Sequence, residues 1–260
     1  VIAKIPYSVL QTHSPIRTQY GTIVKPKLSE IADITFPQFY LYEMLFTITP
    51  EDFFIKVLMG DGEKIWNEFS DEQKHQITIF DLIENYPVVQ DLYCQMLNFF
   101  LLENVTFATH IFIATSDQTD DVTGLRKVFE IDRGGFHNLM SLIAQTCCID
   151  SEEEEIPKFK NKRAEELYYL FKKTKEEELA KKASNNTIEN IISAVCGGRH
   201  PSLNYTNVYD LTVFQLIDVF KRLQINVASS MNEMRVSVWG DEKKQFDIDA
   251  WHQDLNKKSQ

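Results

Sequence analysis

Among the phrases in this chain that set a hydroxyl residue three places ahead of a carboxylate or amide side chain are Thr35-Phe36-Pro37-Gln38, Thr49-Pro50-Glu51-Asp52, Ser70-Asp71-Glu72-Gln73 and Thr212-Val213-Phe214-Gln215. The opening turn of a helix leaves backbone N–H groups without an intrahelical partner. A hydroxyl at the cap accepts from one of them, while the side chain three residues on reaches back to the cap amide. Thr49-Pro50-Glu51-Asp52 is the most complete, because Pro50 falls at the first helical position and two acids meet the positive end of the helix. Asp132 and Thr187 stand ahead of two further apolar runs as candidate caps. A chain punctuated in this way is committed to a succession of helices.

Between these starts the pattern sorts itself. Pro6, Pro15 and Pro26 forbid a long helix before residue 28, where Gly21-Thr22-Ile23-Val24 reads as a short strand. Gly60-Asp61-Gly62 is expected to end the helix opened at Thr49. After Pro87 an apolar helix runs to about Leu102, with Val88, Leu92, Met96 and Phe99-Phe100 at helical spacing, and it is expected to be central to the core. Val105 to Ile113 and Lys127 to Ile131 alternate as strands do. Joined by the turn formers between Ser116 and Gly124, they read as a β-hairpin, followed by a helix from about Phe136 to Cys147.

The second half differs in texture. Ser151 to Glu155 is acidic and is followed by Pro157, Lys158, Lys160, Lys162 and Arg163, while Glu177–Lys181 and Glu178–Lys182 carry the favourable i,i+4 order. This describes an exposed, charged helix closed by Ser184-Asn185-Asn186. Ile188, Ile191, Ile192 and Val195 then form an apolar face that stops at Gly197-Gly198. Past Thr212, Val213, Leu216, Ile217, Phe220 and Leu223 form another, with Leu211 and Leu216 placed as a hydrophobic staple. The expected fold is α+β, predominantly α-helical with a small β-hairpin or sheet in the middle of the chain. Its divisions are 1–150, a helical domain with the hairpin near 105–131; 151–186, a charged helical connector; and 187–260, a C-terminal helical region with an aromatic tail.

With 43% hydrophobic and 25% charged residues the composition is that of a globular protein. The formal net charge of −11 opposes a polyanion, so direct nucleic-acid contact is not expected. No segment is apolar over the length needed to cross a bilayer, and the start of the chain lacks the features of a secretory signal, so no membrane role is expected and the sequons at Asn104, Asn185 and Asn204 read as chance matches. Cys94, Cys147, Cys148 and Cys196 make no Cys-x-x-Cys pair and read as reduced thiols.

Chemistry is sparse. Neither a P-loop nor a dinucleotide fingerprint occurs. Gly134-Gly135 lies between a strand and a helix, where backbone amides and Arg133 could hold an anion, but a tight turn explains the glycines equally well. The six histidines have no partner at metal-binding spacing, and Asp247-Ile248-Asp249 lacks the rest of a divalent-ion loop. Asp120-Asp121 reads as turn chemistry. No local nucleophile signature appears. The expectation is a protein with no catalytic residue, cofactor or metal, working through protein–protein contact. The aromatics Phe214, Phe220, Trp239, Phe246 and Trp251 are its candidate interaction residues, since Phe246 and Trp251 lie in a short polar tail beyond Gly240.

The segment Asn190-Ile191-Ile192-Ser193-Ala194-Val195, then the run from His200 through Tyr205-Thr206-Asn207-Val208-Tyr209-Asp210 to Asp218, resembles a group of structural or tail-assembly proteins of tailed bacteriophages infecting Gram-positive bacteria. The likeness continues through Ser237-Val238-Trp239-Gly240-Asp241 and Phe246-Asp247 to Trp251, with weaker echoes at Tyr20-Gly21-Thr22-Ile23 and Ile131-Asp132-Arg133-Gly134-Gly135-Phe136. It covers about a third of the chain and carries no catalytic motif. The resemblance implies a virion component of the tail, baseplate or connector, made in the host cytoplasm. Its partners would be other phage structural proteins, and the chain would be a homo-oligomer or part of a symmetric assembly. The alternatives are a tail-assembly chaperone, or an intracellular adaptor that binds a host protein through its acidic surface and the helix from Arg163 to Lys182.

Overall fold

A computed structural model describes residues 4–58, 62–119, 125–149, 186–198, 202–241, 246–247 and 251. The chain divides into two compact units, Val1–Ser151 and Glu152–Gln260. The charged connector expected over 151–186 lies outside the described residues except for Asn186, as do Gly60-Asp61, Asp120-Asp121 and Ile248-Asp249.

The first unit begins with a one-turn helix α1 (Tyr7–Leu10) and a two-stranded hairpin of β1 (Ile16–Thr18) and β2 (Gly21–Ile23), so the expected strand is there with a partner. The buried ammonium of Lys25 donates to the Val9 carbonyl at 2.6 Å and closes the end of α1. Helices α2 (Leu28–Ile34), α3 (Phe36–Thr47) and α4 (Pro50–Asp52) follow, the last running into a π-helical turn over Phe53–Val57. Then come α5 (Gly62–Glu68), α6 (Asp71–Gln76), α7 (Ile79–Asn85) and α8 (Pro87–Phe100).

Thr49 caps α4 by accepting from the Asp52 amide, and Ser70 and Gln73 form the reciprocal box on α6. The box expected at Thr35 does not form. Thr35 is shared between the end of α2 and the start of α3, and at φ 78° its side chain makes no cap hydrogen bond. A box at Thr78 and Asp81 opens α7 instead.

Helix α8 occupies the centre of the unit, but its buried face is one residue out of phase with the expectation. Val89, Tyr93, Met96, Leu97 and Phe100 are buried, and Val88 is 80% exposed. The Tyr93 hydroxyl donates to the Leu45 carbonyl at 3.2 Å, which satisfies the one polar atom on that face.

The expected hairpin is a three-stranded antiparallel sheet in the order β3 (Asn104–Ala108), β4 (Ile111–Thr119), β5 (Arg126–Ile131). The run read as a single strand folds back on itself at Thr109-His110, both at positive φ (50° and 64°) as a two-residue hairpin loop requires. Neither residue is a glycine or asparagine, so the turn is silent in the sequence. Helix α9 (Arg133–Thr146) returns over the sheet, with Phe136 stacked on Phe112 and edge-on to Phe80 and Tyr93 at 5.5 Å. The fold class is α+β, with two small antiparallel sheets beside the helices.

In the second unit, Thr187 caps α10 (Ile188–Gly197), and a 3-10 turn (Val208–Asp210) precedes α11 (Val213–Trp239). Thr212 and Gln215 complete the capping box of α11. Ile188, Ile191, Ile192 and Val195 of α10 are buried, as are Val208, Val213, Phe214 and Leu216.

Candidate functional site

Two places drew attention in the sequence, the Gly134-Gly135 turn and the C-terminal aromatics. At the first, the start of α9 is filled by the chain itself. The Asp132 carboxylate accepts from the Gly135 amide at 2.7 Å, while the Arg133 guanidinium is held by Asp81 and Glu84 of α7. An incoming anion would have to displace that carboxylate from the positive end of the helix. Gly135 serves packing: a Cβ there would lie 2.7 Å from the Tyr20 ring, and the Tyr20 hydroxyl accepts from Asn138 at 3.2 Å. Gly21 is likewise crowded by the Glu103 carboxylate, which accepts from the Thr22 amide at 2.8 Å. The segments at 20–23 and 131–136 are thus joined by the Tyr20–Gly135 contact in a packing joint.

Two titratable groups of the first unit, Cys147 and Glu43, are turned inward. Cys147 is fully buried, and burial, reinforced by the charge of Glu43, pushes its thiol well above the usual range. A thiol held protonated is a poor nucleophile. Burial also raises the Glu43 carboxyl to about 7. Among the described residues no cluster of His, Cys, Asp and Glu is arranged to hold a metal ion, and no helix is long and apolar enough to cross a membrane.

The second place is open. Helix α11 has 27 residues, about 40 Å at 1.5 Å per residue, and only its first turn (Val213, Phe214 and Leu216) is buried. Its apolar face, traced in the sequence as far as Leu223, continues through Val227, Met231, Met234 and Val238, which are 45%, 64%, 63% and 69% exposed. The signal was available, since these residues keep the helical spacing of Phe220 and Leu223. A groove of about 510 Å³ opens beside the stripe, lined by Ala194 of α10 and by Phe220, Leu223, Val227, Ala228 and Met231 of α11.

Of the five aromatic candidates, Phe214 is buried in the unit's own core and presents no surface. Phe220 is half-buried and forms one wall of the groove. Trp239 is 76% exposed at the end of α11. Gly240, at φ 75°, then turns the chain, and the half-buried Phe246 donates its amide to Asp241 at 2.9 Å. Trp251 is exposed, and its carbonyl accepts from the Arg222 guanidinium at 3.1 Å.

Helix α11 thus carries an exposed apolar stripe that ends at Trp239, and a family comparison falls on this part of the chain and associates it with phage. Residues 179–256 match the model of the YomV second domain, a family named after a protein of a Bacillus phage region. No curated protein and no solved structure matches the chain.

Proposed function

We propose that this phage-associated protein is a non-enzymatic structural or assembly component of the virion, in the tail, baseplate or connector, that acts through protein–protein contact with α11 as its contact element. The observation that carries this reading is the run Val227, Met231, Met234, Val238 and Trp239, an apolar stripe that the chain's own described residues leave exposed. Scattered exposed apolar residues are ordinary, but a contiguous row on one helix is a recognition surface. Methionines suit such a surface because their flexible thioethers adapt to an irregular partner. The resemblance of the C-terminal string to structural or tail-assembly proteins of phages supports a place in the tail, baseplate or connector. The acidic balance of the chain speaks against contact with packaged DNA.

The test is incorporation. Phage particles produced with Met231→Asp/Met234→Asp in place of the natural protein are expected to lack it, while the free variant keeps the far-UV spectrum and solubility of the parent. A protein missing from particles, but recovered with tail proteins from infected lysates only when the stripe is intact, would move the reading to an assembly chaperone. Undiminished incorporation of the variant would refute it.

A further inference from the structure

The spacing along α11 identifies what covers its free stripe. Lettered as a heptad, Ile217, Gln224, Met231 and Val238 occupy a, and Val213, Phe220, Val227 and Met234 occupy d. The 3-4 alternation is unbroken over these eight positions, and all but Gln224 are apolar. A straight helix drifts about 20° per heptad away from a seven-residue repeat, so a strict repeat keeps one seam only when two helices wind around each other. Inside the unit, α10 ends at Gly197, and α11 continues well past it. Trp251 meets α11 away from the seam, because Arg222, which donates to its carbonyl, sits at f on the opposite side of the helix.

Resting on the reading of α11 as a contact element, we infer that its free seam pairs with α11 of a second copy of this chain, parallel and in register, as a two-stranded coiled coil. The flanking charges choose the direction. The e positions carry Lys221, Ala228 and Arg235, and the g positions Leu216, Leu223, Ser230 and Ser237. In an antiparallel pair that overlaps the whole free seam, e faces e, which sets Lys221 against Arg235 of the other copy. In a parallel pair, e faces the preceding g, which sets Arg235 against Ser230 and Ala228 against Leu223, so no like charges meet. Ala228 and Leu223 are also groove residues, and that contact would extend the seam into the groove. Within the free seam, β-branched Val238 at a favours two strands, and one polar residue at a, Gln224, fixes the register.

The free seam from Phe220 to Val238 is about 28 Å long, and a stripe of roughly 100° on a helix about 11 Å across offers roughly 300 Å² per copy. Two copies then bury less than the ~1,000 Å² typical of a stable stand-alone complex. The dimer is therefore concentration-dependent in solution and gains strength where an assembly holds many copies together.

Sedimentation of the full chain from about 1 to 300 µM tests this together with a cysteine pair. The weight-average mass should climb from 30.3 kDa towards twice that value. Met231→Cys should give, on mild oxidation, a dimer linked through residue 231 of both copies, identified by mass spectrometry of the bridged peptide. Ser229→Cys, at f, should give at least tenfold less, because a disulfide needs Cα atoms within about 7 Å. Gln224→Leu should tighten self-association. A mass fixed at one copy, or equal cross-linking from positions 229 and 231, overturns the inference. If the mass is fixed but Met231→Asp/Met234→Asp still drops out of particles, another protein covers the seam and the contact reading stands. If the mass is fixed and that variant is incorporated normally, both fall.

Discussion

The two units use similar apolar material in opposite ways. Around Phe136 the rings of Phe80, Tyr93 and Phe112 close on one another, and Tyr93 and Phe112 are wholly buried. Along α11 the residues after Leu223 carry as regular a repeat, yet their exposure rises towards the C-terminal end, to 69% at Val238 and 76% at Trp239. In the first unit, short helices and small sheets surround a common centre, so most apolar side chains find a neighbour within the unit, with Val88, Leu102 and Leu125 left exposed. In the second, among the described residues, a 27-residue helix packs against a 10-residue one and outruns it. An apolar residue's spacing announces that it will be covered; the lengths of the neighbouring elements decide whether the cover comes from the same molecule.

Substitutions can break that contrast. Phe112→Ala empties the aromatic centre of the first unit and should destabilise it by about 3–5 kcal/mol in urea unfolding. The removal of an equally large surface at Trp239 should leave that transition in place. Next in size is Glu43. Burial raises its carboxyl from the ordinary 4.5 to about 7, so between those pH values the native state holds a proton that the unfolded chain has lost. Stability of the first unit should therefore fall as pH rises through that window, by up to about 3 kcal/mol, and stay low above it. Glu43→Gln should remove the slope and be the more stable protein at pH 8. Within the second unit, Thr212→Ala deletes the cap that accepts from the Gln215 amide and should cost about 1 kcal/mol, read as a lower helix melting midpoint. Smallest of all, Met234→Ala should change the stability of the dilute protein by less than about 0.5 kcal/mol, because the side chain is already in water. Its effect should appear only in association.

The helix starts were the most legible part of the fold. Thr49, Ser70, Asp132, Thr187 and Thr212 all accept the cap hydrogen bond their spacing implies, because capping is settled within four residues. Thr35 failed for a reason its own four residues do not contain, since the end of α2 had already set its backbone. The Thr109-His110 turn was hidden for a similar reason: pairing between β3 and β4 forces positive φ on residues whose types do not advertise it. The face of α8 was off by one position because its apolar side is half the helix wide, from Val88 round to Leu97, and neighbours choose which part of that side is innermost. At the candidate site, Trp239 and Trp251 stood out by type, and the structure leaves both exposed. Phe214 stood out equally and went into the core, as its place in the first turn of a capped helix beside α10 requires. The more informative residues, Val227, Met231, Met234 and Val238, are individually unremarkable. Only their shared spacing with Phe220, followed beyond Leu223, separates them from surface.

Hydrogen exchange along α11 tests the central claim most directly. A helix segment that the described residues leave largely exposed is marginal on its own, so amides between Gln224 and Trp239 should exchange rapidly in the dilute protein. In the concentrated or particle-bound protein the same amides should slow by at least about tenfold, while those of α8 and α9 stay unchanged. Equal exchange of the 224–239 segment in the free and assembled states would contradict the claim that this face is what the protein offers to its partners.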